Sequence, residues 1–290
     1  MDTYAIVNEK IINLLEAGIV PWRKPWASTG LPRNLVSKKP YRGVNVFLLS
    51  ASKYVSPFWL TFRQANELGG HVRKGEESSI VTFWKVEDLK PNQQLDDGEP
   101  EEKTRRRFLL RLYRVFNVEQ CDLPQAVIAK LPKIETHQHD PIDAVEKIIA
   151  GMPNPPEIVR AGSKAFYSPI TDRITVPSRE LFISAEEESA TTLHEASHAV
   201  GHPKRLNRAS INDAAPFGSP AYSLEELIAE FSAAYLCAEA GISNGVIRNQ
   251  AAYLAGWLKK LSADRKLLIH AAAQAQRAAD YILNRTACSE

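Results

Sequence analysis

Residues 194–198 read His-Glu-Ala-Ser-His. On a helix, His194 and His198 stand one turn apart on the same face, and both can bind one Zn2+ through an imidazole nitrogen. Glu195 then lies beside the open coordination position. There it can take a proton from a zinc-bound water, whose pKa falls to about 7, and later hand it to a leaving amine. The chemistry implied is metal-assisted hydrolysis of a peptide bond. Zinc is the expected cofactor, with another divalent metal as the alternative. The competing reading, an amphipathic helix with two surface histidines, is the weaker one because of what surrounds the motif. Ser184 and Glu187 form an S-x-x-E capping box at the start of its helix, and an expected β-hairpin over 165–177, turning at Thr171-Asp172, precedes it. Such a hairpin can offer an edge strand to an extended peptide.

A third ligand is needed. The pattern runs on as HExxHxxG through Gly201, but Lys204 stands where a metzincin has its third histidine. The only methionines, Met1 and Met152, precede the motif, so a metzincin Met-turn is excluded. His202 sits at the helix end beside Pro203, too close to serve. The next helix, SLEELIAEFSAAYL, carries Glu226 and Glu230 four residues apart on one face, and the helical period suits either equally. Glu230, set among Leu227, Ile228, Phe231 and Ala234, needs a partner such as a metal or a metal-bound histidine. Glu226 also has a competing role as the capping partner of Ser223. The arrangement E-x-x-x-E before an apolar run resembles the thermolysin-type gluzincins. That resemblance implies Glu226 as the ligand and Glu230 as the residue that orients His194. The chain departs from the pattern in having Glu for Asp at the second acid and a longer spacing from His198.

The rest of the chain bears on partners. Its 290 residues carry 36 basic and 34 acidic side chains, a net charge of only +2. The charge is segregated, however. Between Glu16 and Glu67 there is no acid, while Arg23, Lys24, Arg33, Lys38, Lys39, Arg42, Lys53 and Arg63 all fall there, and a second basic cluster follows at Arg105, Arg106, Arg107, Arg111 and Arg114. The acid-free stretch also holds Trp22, Trp26, Tyr41, Phe47, Tyr54, Phe58, Trp59 and Phe62. Bases that follow a phosphate backbone and aromatics that stack on unpaired bases are what sequence-tolerant binding of single-stranded DNA requires. Trp22, Trp26 and Tyr41, each near Arg or Lys, are the expected stacking residues, with Arg23, Lys24, Arg33, Lys38, Lys39 and Arg42 as phosphate contacts. Phe47 reads as core.

These residues must be positioned by an α+β fold of ordinary composition, 44% hydrophobic and 24% charged. Periodicity predicts a helix over 3–17 stopped at Gly18, a helix or strand over 43–54, a helix over 61–68 ended by Gly69-Gly70, and strands over 78–86 and 106–118 joined by an acidic loop. A proline-rich stretch marks a boundary near 130, and Asp140-Pro141 opens a short helix to about Ala150. Helices are expected at 185–201, 223–240, 245–260 and 263–285. Two domains follow, residues 1–130 and 131–290. No apolar run approaches the ~20 residues that span a bilayer, so no membrane partner is expected. The first residues carry acids and lack a basic region, unlike a signal peptide. Cys121, Cys237 and Cys288 form no CxxC pair, so a reducing, cytoplasmic setting is expected.

Two long segments, GLPRNLVSKKPYRGVNVFLL and WLTFRQANELGGHVRKGEESSIV, closely resemble the N-terminal domain of the ArdC family of plasmid antirestriction proteins, a module shared with plasmid primases of the TraC type. The segments LHEASHAVGHPKRLNR and YSLEELIAEFSAAYL resemble the zincin-like metallopeptidase domain that accompanies it. The resemblance covers nearly the whole chain. It implies a mixed α/β domain that binds single-stranded DNA, joined to a mainly helical gluzincin-type metallopeptidase domain with a small β-hairpin. It further implies protection of incoming plasmid DNA from host restriction during conjugation, and Glu195 beside both histidines favours proteolysis of a protein near the bound strand. The alternative is a DNA-shielding protein whose metal site is structural or proteolytically inactive.

Overall fold

A computed structural model describes residues 2–17, 19–23, 31–52, 54, 56–88, 106–131, 141–212, 220–242 and 250–285. In chain order the N-terminal half contains α1 (Thr3–Glu16), β1 (Arg33–Asn34), α2 (Val44–Ser50), β2 (Phe58–Leu60), α3 (Phe62–Glu67), β3 (His71–Val72), β4 (Ser79–Asp88), β5 (Arg106–Asn117), β6 (Cys121–Asp122) and α4 (Gln125–Ile128). The second half contains α5 (Pro141–Gly151), β7 (Glu157–Arg160), β8 (Phe166–Ser168), β9 (Arg173–Val176), α6 (Ala185–Ala199), α7 (Ala209–Asn212), α8 (Pro220–Glu239), α9 (Gln250–Ala263) and α10 (Leu267–Ile282). A mixed N-terminal half therefore precedes a mainly helical half with one small sheet.

The N-terminal sheet has the order β1-β2-β5-β4. Its backbone is the long antiparallel pair β4–β5, in register from Ser79 opposite Val115 to Asp88 opposite Arg106. The segment after Gly43 becomes a helix rather than a strand because it serves the edge of this sheet. From α2, the Asn45 amide donates to the Thr82 carbonyl and accepts the Thr82 N–H, both at 2.7 Å. It satisfies a backbone pair that β4, as the outer strand, would otherwise leave open. Thr61 and Gln64 cap α3 reciprocally, and Gly69 takes φ +78° just past its end, where a left-handed residue closes a helix. Gly18 and Asp140, expected to stop one helix and cap another, lie outside the described residues, as do the acidic loop beyond Asp88 and Cys288.

In the second half the sheet order is β7-β9-β8, with β8 antiparallel and β7 parallel to β9. The hairpin turns at Asp172, which takes φ +51°, a conformation that Asp tolerates better than most residues. One expectation is corrected. Helix α8 begins at Pro220, not at 223, because Pro suits a first helical turn, where its missing N–H costs nothing. Ser223 is therefore buried inside the helix and is not its cap, so the capping role considered for Glu226 does not arise.

The main apolar cluster does not respect the division near 130. Val7, Ile11 and Leu15 of α1, together with Trp22 and Val44, Val46, Phe47 and Leu48, join it with Leu193, Phe231, Tyr235, Leu268 and Ala272. Phe47 stacks on Tyr235 at 5.1 Å, and Trp22 meets Phe231 edge-on. Each such fully buried side chain contributes roughly 1.5–3 kcal/mol. Among the described residues no helix is long and apolar enough to cross a membrane.

Candidate functional site

Helix α6 presents the motif. The Ser184 hydroxyl accepts the Glu187 N–H at 3.2 Å and the Glu187 carboxylate accepts the Ile183 N–H at 2.7 Å, fixing where the helix starts. Leu193, Ala196 and Ala199 are fully buried against the rest of the fold, which leaves His194 and His198 on the opposite side, facing α8. Their Nε2 atoms are 3.2 Å apart. From α8, the two carboxylate oxygens of Glu226 lie 3.7 Å from His194 Nε2 and 3.6 Å from His198 Nε2. Ligand atoms held at 2.0–2.1 Å around a tetrahedral zinc are separated by about 3.3–3.4 Å, so the two imidazoles stand at ligand spacing and a small movement of Glu226 would bring one of its oxygens to that spacing from both. Among the described residues this is the one group of three or more His, Cys, Asp or Glu so converged, all ligand atoms lying within 4.8 Å of one another.

The field at the site favours positive charge. Burial pulls the His194 imidazole pKa down, but the hydrogen bond with Glu226 and the charges of Glu230, Glu195 and Glu226 bring it up to about 9. Burial raises the Glu226 carboxyl, and its hydrogen bond with His194 and the charges of both histidines outweigh that and hold it below the usual range. Glu195 is buried beside the three converging side chains, and Glu230, one turn past Glu226, adds its charge at His194.

The structure also brings in residues that sequence reasoning missed. Glu225, the neighbour of Glu226, accepts from His198 Nδ1 at 3.1 Å and so sets that ring with Nε2 toward the site. Glu225 is buried and is held in turn by Arg208, whose Nε donates at 3.0 Å and whose NH2 also donates to the carboxylate, and by the Ser210 hydroxyl. Burial raises the Glu225 carboxyl, and the His198 and Arg208 hydrogen bonds bring it down to about 2. Adjacent glutamates point to different sides of a helix, so the sequence signal for Glu225 is only its doubling with Glu226 and an Arg just past the motif. Tyr222 donates to Glu226; burial and that carboxylate push its hydroxyl up to about 12. Gly201 is required by close packing. A Cβ there would lie 2.5 Å from Ile211 Cγ1 and 3.1 Å from Arg208 NH2, displacing the arginine that holds Glu225.

A second network locks the hairpin to the end of α6. The Arg205 side chain, 1% exposed, ion-pairs with Asp172 at the hairpin turn and donates to the carbonyls of Ala199 at 2.7 Å and Asn154 at 2.9 Å. The Tyr167 hydroxyl of β8 donates to Asp172 at 3.0 Å. His202 approaches Asp172 at 3.8 Å and Lys204 at 3.5 Å, so the residues after the motif serve this lock.

The expected nucleic-acid contacts divide. Trp22 is fully enclosed by Phe47 and Phe231, and Tyr41 is 6% exposed beneath Phe83; neither ring has a face open to a base, which corrects the expectation that they stack. Their aromaticity was spent on the core. Lys38 and Lys39 are exposed, Arg33 is half-buried in β1, and Arg42 ion-pairs with Asp280 of α10. Arg23 closes the short turn Pro21–Arg23, and Lys24 and Trp26 lie outside the described residues.

Two families match separate parts of the chain. Residues 1–116 match the family described as the N-terminal domain of anti-restriction factor ArdC, and residues 143–274 match the zincin-like metallopeptidase family. The chain is 35% identical over 290 residues to protein y4eC of Sinorhizobium fredii, covering 97% of this chain and 91% of that one. It is 36% identical over 295 residues to the DNA primase TraC of Escherichia coli, but 96% of this chain spans only 26% of the primase. The crystal structures of the antirestriction protein ArdC from plasmid R388 superimpose with TM-scores of 0.76 (metal-free; 99% of this chain and 100% of that one) and 0.74 (Mn(II)-bound; 100% of each), both at 35% identity.

Proposed function

The chain belongs to the ArdC family of antirestriction proteins, and from that premise we propose that it binds single-stranded DNA through residues 1–130 and hydrolyses peptide bonds at a Zn2+ held by His194, His198 and Glu226 in residues 131–290. The observation that carries the catalytic reading is the convergence of those three side chains with Glu195 buried beside them. Bound there, the cation supplies Lewis acidity toward a water and a scissile carbonyl. Glu195 takes the proton from the attacking water and returns it to the leaving amine. Glu225 and Arg208 keep His198 in one orientation, and Glu230 adds negative charge on the His194 side. β8, an outer strand of its sheet among the described residues and tied to the end of α6 through Tyr167, Asp172 and Arg205, gives an extended peptide a strand to pair with. In this reading the two activities serve protection of incoming plasmid DNA from host restriction during conjugation, in the cytoplasm.

Glu195→Gln tests it. The variant keeps metal content and single-stranded DNA affinity, and loses cleavage of proteins incubated with the DNA-bound chain. If Glu195→Gln protects incoming DNA as fully as the unaltered protein, proteolysis is not how the protein works, and shielding of the strand is.

A further inference from the structure

With Trp22 and Tyr41 in the core, any stacking surface must come from elsewhere, and the sheet supplies one. In an antiparallel pair, directly opposed residues share a face, and every second residue along each strand joins them. On β4–β5 one face therefore carries Val81, Phe83, Lys85 and Glu87 with Val115, Tyr113, Arg111 and Leu109. The inner end of this face is core, since Val81 and Val115 are buried with Tyr41, Leu49 and Trp59. The outer end is open. Phe83 and Tyr113 are 41% and 43% exposed, with centroids 5.7 Å apart and planes at 69°. Tyr41 supports Phe83 from beneath at 6.3 Å. Lys85 and Arg111 stand beside them, each half exposed, and Glu87 accepts from both at 2.9 Å. The opposite face differs. There Trp84, Val86 and Phe108 are exposed toward the outer end, Val86 directly across from Phe108, while Arg114 of that face stands at the other end, opposite Ile80, and donates to the Ser78 hydroxyl at 3.1 Å.

We propose that the Phe83–Tyr113 face of the β4–β5 ribbon, with Lys85 and Arg111, is a binding site for unpaired nucleic-acid bases. The proposal rests on the reading of the N-terminal half as a single-stranded DNA binder and supplies the location that reading lacks. Two supported rings take two neighbouring bases by stacking, and the guanidinium and ammonium take the adjoining phosphates. Duplex DNA, with its bases paired and stacked, offers these rings nothing. Glu87 holds the two cations in place in the free protein and competes with phosphate for them.

The test uses the full-length chain and a labelled oligothymidylate, read by fluorescence anisotropy against an unlabelled duplex competitor. Phe83→Ala/Tyr113→Ala is expected to weaken oligothymidylate binding by about tenfold or more, with an unchanged melting temperature. Phe83→Leu/Tyr113→Leu, which keeps apolar bulk but removes the π faces, is expected to do nearly the same and carries the test should the alanine pair disturb the fold. Glu87→Gln is expected to tighten binding. If the unaltered chain binds and both double variants bind equally well, the placement is wrong while the DNA-binding reading survives. If duplex competes as well as single strands, the stacking role is overturned. If the unaltered chain does not bind the oligothymidylate at all, the underlying reading falls, and the site with it.

Discussion

Trp22, from the N-terminal half, lies edge-on against Phe231 of the helix that carries Glu226, with ring centroids 4.9 Å apart and planes at 62°. Phe47 completes the group at 4.5 Å from Phe231. One aromatic cluster thus forms the floor beneath both modules.

Trp22→Ala is expected to cost about 3–5 kcal/mol, as large aromatic deletions in cores do. The loss appears as one cooperative unfolding transition at lower denaturant, with both halves melting together. Trp22→Phe is expected to retain most of the stability and all of the DNA affinity. Equilibrium urea denaturation followed by circular dichroism checks the first statement, and anisotropy the second.

Glu226 and Glu230 separate cleanly by metal content. On the proposed ligand set, Glu226→Ala removes one of the three converging side chains and is expected to leave the purified protein without stoichiometric zinc, whereas Glu230→Ala is expected to retain it with reduced affinity. In the unaltered protein a chelator should lower the melting temperature and added zinc restore it, because a ligand bound only by the native state stabilises that state. Atomic absorption and thermal melts with and without chelator are the measurements.

Glu225→Gln leaves Arg208 buried without its counter-charge and weakens the hydrogen bond that sets His198. Loss of an outer partner of this kind typically costs 10–100-fold in metal affinity, and a broken buried ion pair about 3–5 kcal/mol of stability. Competition with a chromogenic chelator reads the first effect and urea denaturation the second. Combining Glu225→Gln with Arg208→Met should recover part of the stability and none of the metal affinity.

Asp172 gives the fold a pH dependence. Burial raises its carboxyl, and hydrogen bonds from Arg205 and Tyr167 outweigh this and hold it below the usual range. A carboxyl lower in the folded than in the unfolded state stabilises above its unfolded pKa of about 3.9, and that stability is lost as pH falls through the folded value. Asp172→Asn is therefore expected to melt well below the unaltered protein at neutral pH, with the gap closing in acid. Melting temperatures across pH for the two proteins decide this.

What the sequence made legible was local. His194, Glu195 and His198 are read from their spacing alone, because a helix fixes their relation within one turn. The paired strands β4 and β5 and the hairpin at Asp172 are read from alternation and turn chemistry. That Glu226 rather than Glu230 would converge on the two histidines came only from the resemblance to gluzincins, since helical phase suits either residue. Strand β7 was missed, being four residues long and defined by its parallel pairing with β9. The burial of Trp22 and Tyr41 was not legible at all. An aromatic beside bases looks the same whether it faces solvent or a partner from elsewhere in the chain, and Phe231 and Phe83 decide the matter in three dimensions. Glu225 escaped because its partner, Arg208, is brought to it by the turn after α6.

The Asn8 amide of α1 donates to the Leu261 carbonyl of α9 at 2.9 Å, a buried bond between residues 253 positions apart. Asn8 therefore leaves the ribosome 253 residues ahead of its partner. Until α9 is made, α1 lacks that partner, and the part of its apolar face that packs there stays uncovered while the intervening chain is synthesised. Contacts of such separation slow folding and expose the nascent chain to aggregation. A chaperone that covers α1 early should therefore raise the yield of native protein more than one acting after release.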